Sequence, residues 1–129
     1  LGIEDQVAFF PPEKNIGEKY KSASIYAMAS RYEGFGMVLT EAMAYGVPCV
    51  SFDCPYGPSD IIADGEDGFL VSNGDIPTFS EKICELIENQ ELRRNMGKKA
   101  RLNVKRYLPE HIVPQWDKLF KQLLANSPS

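Results

Sequence analysis

Histidine is nearly absent. His111 is the only one in the 129-residue chain, which leaves almost no material for a histidine metal cluster or for multi-step histidine catalysis. Cysteine is scarce as well: Cys49, Cys54 and Cys84 form no CxxC pair. That fits a reducing compartment rather than a disulfide framework, with Cys49 and Cys84 read as small core residues. A basic excess is missing too. The formal charge is -4 and the isoelectric point is near 5.0, so there is no basic excess to neutralise a nucleic-acid backbone, although a nucleotide needs only a few amides and a cation or two. No apolar run approaches the roughly 18 residues of a membrane span, and no basic segment precedes an apolar one as in a leader. The expectation is a cytoplasmic protein, with peripheral membrane attachment as the alternative. Leu1 stands where a methionine would begin a gene product, as expected of a piece of a longer protein.

What is present is an ordinary soluble balance of 43% hydrophobic and 25% charged residues, which argues against wholesale disorder. At this length one domain, 1–129, with a real core is expected. Gln6 to Phe10 reads as a short strand stopped by Pro11 and Pro12. Glu13 to Ser22 reads as a short helix carrying Ile16 and Tyr20 on one side. Ala23 to Met28 is a buried strand, making Ile25, Tyr26 and Met28 core residues. Further strands are expected at Cys49–Phe52 and Phe69–Val71. Between them Pro55 and Pro58 make a rigid turn around Tyr56 and Gly57, and Ser59 to Ala63 forms a short helix. Crossovers between such strands need helices, so the pattern predicts an α/β fold: a partial Rossmann-like parallel sheet with helices.

From Ile76 onward only helices are expected. Phe79, Ile83, Leu86 and Ile87 form one apolar stripe, and Leu92, Met96, Ala100 and Val104 form a second. A third helix, Ile112 to Leu124, carries Val113, Trp116, Leu119, Phe120, Leu123 and Leu124, with Trp116 read as a core anchor. Arg93, Arg94, Lys98, Lys99 and Arg101 make a basic face. It reads as a solvated helix surface, with attraction to a membrane surface as the other reading.

The specific stretch is Ser30 to Val50. Ser30 to Gly36 has two glycines around Phe35 and no sustained apolar period, so it reads as a loop that approaches something closely. Met37 to Tyr45 is a helix, Gly46 its left-handed cap and Pro48 its stop. A glycine loop entering a helix N-terminus leaves amides free to meet an anion. Glu33 and Glu41 flank those amides, eight residues apart. Helical rise over that span is about 12 Å, too far for a paired acid and base on one bond. Two readings stand on spacing alone. The glutamates recognise hydroxyls at either side of a diphosphate, or Glu41 is a solvent-facing helix residue and Glu33 an ordinary acid near a helix start.

The run from Glu33-Gly34-Phe35-Gly36 through Glu41 to Gly46-Val47-Pro48 resembles the signature of retaining family 4 glycosyltransferases of the GT-B type. The resemblance continues through the glycine-closed turn at Asp64 to Gly68 and covers nearly the whole chain. It corresponds to the latter part of the family's C-terminal, donor-binding domain. It implies sugar transfer with retention from a nucleotide-diphosphate sugar, with a UDP-linked hexose or N-acetylhexosamine as donor. Tyr56-Gly57-Pro58 is similar to a subset acting on galactose-type or N-acetylhexosamine donors. By resemblance Glu33 is catalytic, at the donor sugar. The backbone of Gly34, Phe35, Gly36 and Met37 holds sugar hydroxyls, Leu39 and Thr40 face the diphosphate, and Glu41 holds the ribose. No metal or other cofactor is implied.

The sequence departs from that family in three places. Pro11-Pro12 stands where a glycine turn seats the base. An arginine and lysine that clamp the diphosphate have no counterpart, and Arg31 is a weaker local candidate. The acceptor-binding N-terminal domain, with its histidine, is also missing, and His111 lies too far down the tail to replace it. The chain by itself is therefore expected to be inactive. A nucleotide-binding or regulatory α/β module that transfers nothing is the competing reading, and a purely structural domain is a third.

Overall fold

The computed structural model describes residues 1–128. Three parallel strands, β1 (Tyr26–Met28), β2 (Cys49–Asp53) and β3 (Gly68–Ser72), form one sheet in the order β1-β2-β3. Tyr26 pairs with Cys49 and Cys49 with Gly68, so the strands start level. The crossovers are α2 (Met37–Ala44) from β1 to β2 and the short α3 (Pro58–Ile61) from β2 to β3. A preceding helix, α1 (Gly17–Ser22), and three trailing ones, α4 (Ile76–Glu88), α5 (Gln90–Asn103) and α6 (Pro109–Ala125), complete the fold. The expected parallel α/β architecture is what forms.

The sheet is covered on both faces, as parallel sheets require. On one face Leu39, Ala42 and Met43 of α2 meet Cys49, Ile61, Ile62 and Ala100. On the other Val50, Phe52, Phe69 and Val71 meet Leu86 of α4 and Met96 of α5. β2 therefore alternates its side chains into two cores. The Leu92, Met96, Ala100, Val104 stripe is buried as expected, with only Leu92 partly covered. Asp67 lies fully buried and ties the β3 approach to α5. One of its oxygens accepts from Ala63 N at 2.8 Å and the other from Asn103 Nδ2 at 2.7 Å.

Four expectations are corrected. Val7–Phe10 is not a strand: a 3-10 turn at Glu4–Gln6 precedes it, and the segment is exposed and unpaired. A strand exists only by pairing, and no described residue pairs with this one. Cys84 is exposed, whereas Cys54 is buried alongside Cys49; α4 turns Leu86 inward and Cys84 out. Ile87, placed in the same stripe, is 60% exposed for the same reason. The third helix starts at Pro109, and none of its residues is buried. Trp116 is thus no core anchor: it is exposed, and its ring lies against that of Phe120 with centroids 5.7 Å apart. Nothing among the described residues covers that face.

Candidate functional site

The loop between β1 and α2 leaves the carboxyl end of the sheet, where open α/β sheets bind their ligands. Its backbone is held from below. Glu33 N donates to Pro55 O and Tyr56 N donates to Glu33 O, both at 2.8 Å, so the loop is stitched to the β2–α3 connection. Gly57 follows at φ +105, and a Cβ there would run into the Phe35 carbonyl. Only glycine permits this approach of two backbones. Gly57→Ala is expected to cost about 1–3 kcal/mol and to dislodge the Glu33 loop. Thermal unfolding, together with limited proteolysis at the loop, checks this.

Within the loop the Glu33 side chain is half-buried, and its Oε1 accepts from Ser30 Oγ at 2.7 Å. Phe35 packs edge-on against Tyr107, centroids 5.6 Å apart. Tyr107 is fixed in turn by donating to Asp60 O at 2.8 Å, beside Arg106, whose Nη2 donates to Asp60 O and Ile61 O. Gly36 caps α2 in a left-handed conformation, φ +91. Among the described residues no acceptor is found for the N–H groups of Gly34, Phe35, Gly36, Met37 or Val38. That row of donors at the positive end of α2 suits an anion or polar oxygens.

Of the two donors placed at the diphosphate by resemblance, Leu39 N–H already donates to Gly36 O at 2.9 Å in a tight first turn. An incoming acceptor would share it in a three-centre bond, which is common at helix ends. The Leu39 side chain is fully buried and serves the core. Thr40 Oγ1 donates back to Met37 O at 2.7 Å. Glu41 is half-buried on α2, beside a groove of about 230 Å³ lined by Thr40, Ala44, Val104, Tyr107 and Leu108. Arg31 sits elsewhere, lining a cavity with Ala29, Phe52, Ile76 and Phe79 on the α4 face of the sheet.

A tyrosine cluster was missed by sequence reasoning. Tyr20 donates to Glu41 Oε2 at 3.3 Å. Tyr26 lies edge-on to Tyr20, centroids 6.0 Å apart. Burial pushes the Tyr26 hydroxyl pKa up, and the charges of Glu33 and Glu41 add to the effect. The signal was available in outline, since a buried tyrosine hydroxyl needs a partner.

The family model described as glycosyl transferases group 1 matches residues 1–103. The chain is 39% identical over 115 residues to the amylovoran biosynthesis glycosyltransferase AmsD of Erwinia amylovora, covering 89% of this chain and 32% of that one. It is 35% identical over 127 residues to N-acetyl-alpha-D-glucosaminyl L-malate synthase of Bacillus anthracis, covering 98% and 33%. A solved structure of Staphylococcus aureus TarM in complex with fondaparinux, alpha-GlcNAc-glycerol and UDP superposes with a TM-score of 0.86 at 34% identity. That match covers 97% of this chain and 24% of TarM. The chain spans a third or less of the length of the curated relatives it matches. No helix among the described residues is long and apolar enough to cross a membrane. A matched family model over most of the chain, a glycosyltransferase-like parallel α/β fold and a glycine loop stitched in front of α2 lead to one assignment: the chain belongs to the glycosyl transferases group 1 family.

Proposed function

We propose that this chain is the latter part of the donor-binding domain of a retaining glycosyltransferase. In the full-length protein it takes a UDP-linked hexose or N-acetylhexosamine and passes the sugar to a glycan or lipid-linked acceptor in polysaccharide synthesis. The observation that carries this reading is the Glu33 loop. It places a carboxylate oriented by Ser30 directly ahead of five open amides and the N-terminus of α2.

In this reading Glu33 accepts from donor-sugar hydroxyls, and the Gly34 to Met37 amides hold the same sugar. The first turn of α2, including Leu39 and Thr40, faces the diphosphate. Its dipole becomes more favourable as charge builds on the leaving group, which lowers the barrier rather than only the ground state. No divalent cation is assigned to this step. Glu41 takes the vicinal ribose hydroxyls, which a carboxylate accepts bidentately. Cationic clamps on the diphosphate are assigned to an earlier part of the same donor-binding domain, and the acceptor site to an N-terminal domain of the same polypeptide. The isolated chain is accordingly a half-site and inactive. Support for UDP comes from the TarM complex, and for hexosaminyl or polysaccharide chemistry from the named relatives.

The test is turnover by the full-length protein with a panel of UDP-hexoses and UDP-N-acetylhexosamines. UDP release is followed, and proton NMR reads the anomeric configuration of the product. Transfer with retention is expected. Inverted product overturns the mechanism, and tight nucleotide binding without transfer favours the non-catalytic module instead.

A further inference from the structure

Tyr20 lies on α1, outside the loop–helix unit to which the site has so far been confined. It is 5% exposed and held on two sides, stacked on Tyr45 at 5.7 Å and edge-on to Tyr26 at 6.0 Å. Tyr45 is itself backed by the Gly17 backbone, since a Cβ at Gly17 would overlap the Tyr45 hydroxyl. A ring packed this way has one orientation, and its hydroxyl has one side-chain partner, Oε2 of Glu41 at 3.3 Å. Burial, with the Glu41 charge next, pushes the Tyr20 hydroxyl pKa well above its ordinary value. The phenol therefore stays protonated at neutral pH and can act toward the carboxylate only as a donor.

We propose that Tyr20 is a positioning residue for the nucleotide site: it fixes the Glu41 carboxylate in the orientation that accepts a vicinal diol. This rests on the reading that Glu41 binds the ribose. A carboxylate offers about four lone-pair positions, so one donated bond leaves enough for two sugar hydroxyls. Without the phenol, Glu41 swings freely and must be immobilised when the nucleotide binds, at a cost of about threefold to tenfold in affinity. The consequence is chemical selectivity. A pre-oriented carboxylate rewards a ligand with both hydroxyls more than one with a single hydroxyl.

The experiment is calorimetry on the full-length protein with UDP and with 2′-deoxy-UDP. Wild type, Tyr20→Phe, Glu41→Ala and the double variant are compared, with thermal unfolding of each. Tyr20→Phe keeps the ring stack and removes only the hydroxyl. It should weaken UDP by about threefold to tenfold and change 2′-deoxy-UDP by about twofold or less, compressing the ratio between the two ligands. In the Glu41→Ala background the same change should have no further effect, because the group it acts through is gone. Three results overturn the proposal while leaving the ribose reading in place. Tyr20→Phe could leave both affinities unchanged or weaken both ligands equally, the latter marking a general packing role. Its effect could also add fully to that of Glu41→Ala. If Glu41→Ala itself leaves UDP affinity unchanged, the ribose reading falls, and the Tyr20 proposal with it.

Discussion

Glu41→Ala in the full-length protein weakens donor binding by about tenfold to a hundredfold. On the proposed ribose role, the size follows from losing a charged hydrogen-bond acceptor, worth about 1.5–3 kcal/mol. Glu41 is half-buried on α2 beside the groove formed with Val104, Tyr107 and Leu108, so water replaces it poorly. The substitution also leaves the Tyr20 hydroxyl buried without its partner. That adds a stability cost of about 1–3 kcal/mol, which a melting curve separates from the affinity change. Isothermal titration with a UDP-sugar reads the dissociation constant directly. An unchanged constant, with Glu41→Ala folded, removes Glu41 from the nucleotide site.

The parts of this fold that were legible in the sequence are those with local causes. α2 was written in its helix formers, in Gly46 with its positive φ and in Pro48 behind it. The four-residue stripe of α5 was legible because each turn points one residue inward, Leu92 and Met96 to one core cluster and Ala100 and the following Val104 to the other. Glu33 and Glu41 were found as candidates because a glycine loop before a helix has a recognisable sequence form.

What escaped depends on partners distant in the chain. Val7–Phe10 has the composition of a strand, yet composition supplies no neighbour to pair with. α6 has the periodicity of a core helix, yet periodicity does not state what covers the apolar face, and Trp116 stays 53% exposed. The support of the site was the least visible. Gly57 meets Phe35 across 22 residues, and Tyr20 meets Glu41 across 21. No spacing rule links such pairs; only the fold brings them together.

Glu33→Gln should lower kcat about a hundredfold while leaving donor KM nearly unchanged. The amide keeps an oxygen where Glu33 Oε1 now accepts from Ser30 Oγ, so the loop geometry and most ground-state hydrogen bonding survive. The backbone pair with Pro55 and Tyr56 is untouched by the change. On the proposed role of Glu33, what is lost is a negative charge beside the anomeric carbon, where positive charge develops only as the bond to the diphosphate breaks. An interaction that grows toward the transition state appears in kcat, not in substrate affinity. Steady-state kinetics with the preferred UDP-sugar, at saturating acceptor, separates the two constants. A severalfold rise in KM with kcat intact would instead make Glu33 a clamp on the bound sugar. The catalytic charge would then have to come from another group in the cleft.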